Sequence, residues 1–229
     1  MIQGERLTCG MNSTIQEIKA SPIYPYVLPF FLFSLFLTLE SIHPLAVYVV
    51  YPLKTFFVGI SILLLLTRLP SFELRHWKFS VLVGVLGFLL WVGLDPYWVK
   101  HEGTGGFNPY HFGGGSMAWG LIAFRLMGAV LVVPVMEEIF WRGFLMRYLI
   151  QEDFEKVALG TFRWISFTVT TAFFASVHGS QWSLAVVVGL LFGGWFLRTR
   201  TLGDVMLAHG ITNLLLGIYV IRTEKWYFW

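Results

Sequence analysis

Charge is what this sequence has least of. Only 13% of its 229 residues are Asp, Glu, Lys or Arg, about half the ~25% of an average soluble domain. Hydrophobic residues make up 56%, and mean hydropathy is +0.69. A chain this apolar cannot cover a soluble globule and reads as a polytopic membrane protein. Cysteine is equally scarce: the single Cys9 excludes an intramolecular disulfide and has no metal-type spacing. Gly113-Gly114-Gly115 is not followed by Lys-Ser or Lys-Thr, so it is no phosphate loop. The first twenty or so residues lack the short apolar region and cleavage site of a signal peptide. The first apolar run, from Ile23, is therefore expected to act as a retained anchor. No internal repeat or low-complexity tract is visible. The expected organisation is a polar tail, 1–22, and one membrane-embedded domain, 23–229. A pI near 9.0 fits positively charged loops on one side of a membrane, and no nucleic-acid partner is expected.

The expected fold is all-α, a transmembrane bundle of about seven spans. Spans need about twenty mostly apolar residues. They fall near 24–39, 45–66, 79–94, 118–149, 164–180, 184–197 and 204–221. The third stops at Asp95-Pro96. The fifth and sixth are short and closely joined, as in a tight hairpin that does not fully cross. Arg6, Lys19, Arg68, Arg75, Lys78, Arg142, Arg147, Lys156, Arg163, Arg198 and Arg200 collect on one side. Only Lys100, Arg222 and Lys225 fall on the other. The positive-inside bias places the N-terminus in the cytoplasm. Lys54 and Arg125 lie within spans, and Glu40 sits at the end of the first. His43, His76, His101 and His111 fall at span ends or in loops and read as solvated. The aromatic run Trp226-Tyr227-Phe228-Trp229 reads as an interfacial anchor.

Against that apolar background, Glu137-Glu138-x-x-x-Arg142 stands out. Each charge at mid-bilayer costs roughly 2.5–3.5 kcal/mol on insertion scales, so such groups pair or work. Glu138 and Arg142 are four apart and share a helix face, which suits a bidentate structural pair. Glu137 points about 100° away and is left free. A carboxylate in an apolar cavity is suited to general-base chemistry near neutral pH. Pro134, one turn before, removes a helix hydrogen bond and crowds the Val130 carbonyl; it is either a kink that opens room or an ordinary membrane proline. His178 and His209 lie in later spans, and Asn213 shares a face with His209. By residue count from the arginine-rich side, Glu138, His178 and His209 differ in depth by over ~10 Å at 1.5 Å per residue. A fifth–sixth hairpin set nearer that side would bring His178 level, with a cavity opening toward the cytoplasm.

Three motifs, Glu137-Glu138-x-x-x-Arg142, Phe174-x-x-x-His178 and His209-x-x-x-Asn213, occur in this order along the chain, on the fourth, fifth and seventh spans. In this the chain resembles the CPBP family of intramembrane proteases, which includes the type II CAAX prenyl endopeptidases and the bacterial Abi proteins. The likeness covers roughly 118–217. The stand-alone, bacterial-type architecture is also similar to the CAAX-protease-related proteins found alongside exosortase/PEP-CTERM sorting systems. The resemblance implies an endopeptidase acting on a membrane-associated protein or peptide in a bacterial cell membrane. It implies that Glu137, helped by His178, activates water; that His209 and Asn213 stabilise the oxyanion; and that Glu138 and Arg142 hold the site together. In the prenyl proteases the substrate is a C-terminal tripeptide after a lipidated Cys; a bacterial-type chain is expected to cut something else. A metalloprotease variant would set Glu137, His178 and His209 around a divalent ion such as zinc. The alternatives are a non-catalytic scaffold or immunity-type protein that keeps the motifs for structure, and a proton-coupled carrier.

Overall fold

The computed structural model describes residues 16–17, 19–99 and 106–229. Most of the polar tail, with Arg6 and Cys9, and the loop residues Lys100 and His101 fall outside them. Among the described residues all regular structure is helical. The described residues form seven main helices: α1 (Tyr24–Glu40), α2 (Val47–Leu65), α3 (Trp77–Trp98), α4 (Ser116–Tyr148), α5 (Trp164–Ser176), α6 (Trp182–Thr199) and α7 (Leu202–Thr223). By length and composition α2, α3, α4, α6 and α7 can cross a membrane. The other two are apolar but shorter, 17 residues in α1 and 13 in α5. At 1.5 Å per residue α5 is about 20 Å long, short of a ~30 Å hydrocarbon core. The chain is a multi-pass membrane protein.

Successive helices alternate in direction. Tyr26 and Phe30 of α1 meet Phe144 and Phe140 of α4, so these two run antiparallel. Ser80 and Gly84 of α3 meet Asp204 and Thr212 of α7, so these run parallel. The loops after α2, α4 and α6 therefore share one end of the bundle. The loops after α1, α3 and α5 share the other. Exposed aromatics mark both borders: Trp77 and Trp164 at the first end, Trp98, Trp119 and Trp182 at the second. Trp77 and Trp98 are about 32 Å apart along α3, which matches the thickness of the apolar core they border.

Small residues let α3 and α7 touch. A Cβ on Gly84 would lie 2.5 Å from the Ala208 carbonyl oxygen. The Thr212 hydroxyl donates to the Gly84 carbonyl at 2.7 Å. At the arginine-rich end Asp204 accepts from the Arg75 and His76 amides and from the Ser80 and Thr201 hydroxyls. It thereby binds the start of α3 to the start of α7.

Three expectations are corrected. First, α3 continues past Asp95-Pro96 to Trp98, because Pro96 forfeits only its own hydrogen bond and the Asp95 carbonyl accepts from the Val99 amide. Second, α5 stops at Ser176; Gly179 turns the chain with φ +56°, so His178 lies in a turn and not on a helix. Third, Arg142 and Arg147 are interior, not loop charges. Arg147 donates to the carbonyls of Gly143, Glu155 and Val157, tying the connection after α4 back onto that helix.

Candidate active site

The site is built around an irregularity in α4. The helix keeps α register over Val133–Glu138 but widens to π register over Gly128–Val132 and Ile139–Leu145. In the first wide turn the Val133 amide bonds back five residues to the Gly128 carbonyl. The next bond of that series would join residue 134 to Ala129. Residue 134 is proline and has no N–H, so the Ala129 carbonyl is orphaned. Asn213 of α7 supplies the missing donor: its Nδ2 donates to that carbonyl at 2.7 Å. Gly210 lies one turn earlier on α7, where a Cβ would come within 3.0 Å of the Val130 carbonyl. Pro134 thus works through a register change, and π turns of this kind recur at functional sites.

The two carboxylates divide as their helix angles require. Glu138 is fully buried and accepts on Oε1 from Arg142 at 3.1 Å and from His209 Nδ1 at 2.9 Å. Arg142 also donates to the Gly189 carbonyl of α6 and sits 4.8 Å over the Phe174 ring. Glu138 therefore braces three helices, one more than the Arg142 pair alone. The Arg142 contact is single rather than bidentate, so Glu138 Oε2 is left enclosed without a hydrogen-bond partner, as is Oε2 of the buried Glu137, among the described residues.

Phe174 organises the histidines. Its carbonyl lies 2.7 Å from His178 Nδ1. A carbonyl only accepts, so Nδ1 carries the proton and Nε2 keeps the lone pair in the neutral ring. The Phe174 ring packs against both imidazoles, with centroids 4.6 Å from His178 and 6.3 Å from His209. In His209 the Nδ1–H···Glu138 bond likewise leaves Nε2. Glu137 and His178 are close enough to interact electrostatically, as are His178 and His209.

A cavity of about 350 Å³ joins these groups, with Glu137, His178, His209 and Asn213 all in its wall. That volume suits a peptide-sized ligand. Sequence reasoning missed several wall residues. Trp91 of α3 faces His178 at 5.8 Å, Phe192 of α6 lies 5.0 Å from His209, and Gln181 stands in the turn after His178. None lies in a motif, and only fold contacts could have found them. Lys54 and Glu40, read as a span charge and an interfacial acid, form a 2.8 Å ion pair in the wall. Arg125 lies over the Tyr51 ring at 4.3 Å, also in the wall. Of the aromatic run expected as an anchor, Phe228 and Trp229 line the cavity.

The cavity lies in the half of the bundle away from the end toward which it is expected to open. Its wall beyond Glu137 comes from the late parts of α1, α3 and α7 and the early parts of α2, α4 and α6. These are the halves remote from the arginine-rich loops.

The donor types of Glu137, His178 and His209 are those of a catalytic zinc shell. Among the described residues, however, no three His, Cys, Asp or Glu side chains converge closely enough to hold an ion. As placed, the three residues line one cavity without forming a ligand set.

Residues 118–215 match the family model for type II CAAX prenyl endopeptidase Rce1-like proteins. No curated protein and no solved structure matches the chain. The matched stretch begins at the head of α4 and ends just past Asn213, so it contains all three motifs and the helices that bring them together. Over that stretch, a little under half of its length, the chain is similar to the type II CAAX prenyl endopeptidases.

Proposed function

We propose that the protein is an intramembrane endopeptidase in which Glu137 activates the attacking water. The observation that carries this reading is the contrast between the two adjacent carboxylates. Glu138 is held on Oε1 by Arg142 and His209 and stands outside the cavity wall, whereas Glu137 lies in that wall with no ion pair of its own and its Oε2 buried without a hydrogen-bond partner among the described residues. A residue kept for structure finds partners; one kept to hold a water and take its proton does not.

In this mechanism a water between Glu137 and His178 loses its proton to the Glu137 carboxylate, with His178 Nε2 accepting the water's second hydrogen bond and fixing its direction. The hydroxide attacks the scissile carbonyl, and Glu137 then returns the proton to the leaving amine. His209 and Asn213 face the oxyanion. Asn213 has spent one amide N–H on Ala129, and the other is left to donate. His209 donates from Nε2 only when the ring carries a second proton, with the Glu138 carboxylate as its counter-ion. Each such donor is worth about 2.7–4 kcal/mol in a dry site. Glu138 and Arg142 are positioning residues. The cycle runs on this chain's own groups, and no step passes through a metal.

The test compares free N-termini in membranes from cells making the wild type and Glu137→Ala at equal levels. Fragments present with the wild type and absent with the variant are expected. Identical fragment sets, with the variant inserted normally, would leave the scaffold reading standing instead.

A further inference from the structure

Two observations that have no bearing on each other point the same way. The first is charge. Arg68, Arg75 and Lys78 follow α2, Lys156 and Arg163 follow α4, and Arg198 and Arg200 close α6. The alternation of the helices brings all seven to one end of the bundle. At the other end the described residues offer Arg222 and Lys225. Lys and Arg in short loops are retained on the cytoplasmic side of a membrane, so the first end faces the cytoplasm.

The second observation is the shape of the site. Glu137, Phe174, Phe192 and His209 close the cavity at its floor. Its walls climb along Phe33, Leu37 and Glu40 of α1, Trp91 of α3 and Leu216 of α7, each helix in its second half. All three of these helices start at the arginine-rich end. On the cytoplasmic side of the floor the bundle is filled by Ile139, Leu202, Val205 and the Glu138–Arg142 pair, each at most 1% exposed.

We propose that the cavity is entered from the extracytoplasmic side, and that the substrate is a peptide segment displayed on that side, such as the outer juxtamembrane stretch of a membrane-anchored protein. The sidedness of the cavity stands on charge and shape alone. The substrate class rests in addition on the peptidase reading above. A soluble cytoplasmic peptide, or a cytoplasmic tail, would have to cross the packed layer around Glu138 and Arg142 to reach Glu137.

The test is cysteine labelling in intact cells, on a Cys9→Ser background that removes the only native thiol. Ser41→Cys reports on the loop after α1, Gln181→Cys on the cavity wall, and Ser71→Cys on the loop after α2. With a membrane-impermeant maleimide, Ser41→Cys and Gln181→Cys are expected to label before lysis, and Ser71→Cys only afterwards. Labelling of Ser71→Cys in intact cells, with Ser41→Cys protected, overturns the proposal, as does equal labelling of the two loops. If Gln181→Cys is too enclosed to react, the two loop positions still decide. Labelling needs no turnover, so its outcome is independent of whether Glu137 is a catalytic base. A second readout is the location of the bonds cut by the wild type and spared by Glu137→Ala. They are expected in segments outside the membrane, and cuts confined to cytoplasmic segments would overturn the substrate class while leaving the protease intact.

Discussion

At the scale of single residues, the neighbours Glu137 and Glu138 make opposite predictions. Glu138→Ala strands the buried Arg142 without its carboxylate. Breaking a buried pair this way costs about 3–5 kcal/mol, so thermal unfolding of the purified protein in detergent should occur at a clearly lower temperature. Glu137→Gln removes a buried charge whose Oε2 has no hydrogen-bond partner among the described residues, so its unfolding temperature should stay level or rise while activity is lost. Both residues were legible in the sequence as a brace and a free carboxylate, because i to i+4 spacing on a helix fixes which side chains meet. The role of His209 in the brace was not legible. It depends on α7 crossing α4 at one particular height, which spacing within either helix does not set. The ligand geometry at this scale also bears on metal. With no three donors converging among the described residues, treatment with a strong chelator should leave fragment production unchanged, and restoration of a lost activity by added zinc would contradict that.

At the scale of elements, Pro134, Ala129 and Asn213 form one unit. Asn213→Ala leaves the Ala129 carbonyl without a donor, and an unsatisfied buried group costs about 1–3 kcal/mol. Pro134→Ala returns an N–H to the helix, which can take over that carbonyl. The double variant should therefore be less destabilised than the two singles summed, with a coupling of about 0.5–3 kcal/mol in a thermodynamic cycle. Strict additivity would mean that the two sites are unconnected. The sequence left Pro134 undecided between a kink and a tolerated proline, since the answer lies in a register shift that no local pattern announces. Helix positions, by contrast, were readable to within a few residues, because apolar runs of this length admit few alternatives. The exceptions were the two ends where proline or glycine had to be weighed: Pro96, which α3 absorbs, and Gly179, which ends the path of α5 before His178.

At the scale of the whole molecule, seven helices alternate around a floor of charged and aromatic groups, and the cavity rises from that floor away from the arginine-rich end. The contact of α3 with α7 sets this frame. Gly84→Leu would drive a side chain into Ala208 and Ile211, and it should abolish accumulation of folded protein, seen as loss of the monodisperse peak in size-exclusion chromatography. The sequence supplied the charge asymmetry but pointed the cavity toward it. Counting residues from one membrane border treats every helix as upright and of equal length, whereas α4 is 33 residues long and α5 only 13.

The most direct measurement of the central claim uses purified protein in lipid vesicles and a quenched peptide spanning a bond that the N-terminal comparison identifies. The account predicts that Glu137→Gln, folded and inserted like the wild type, cuts at least about 100-fold more slowly, the lower bound for loss of a general base. A folded Glu137→Gln protein that cuts at the wild-type rate would contradict it.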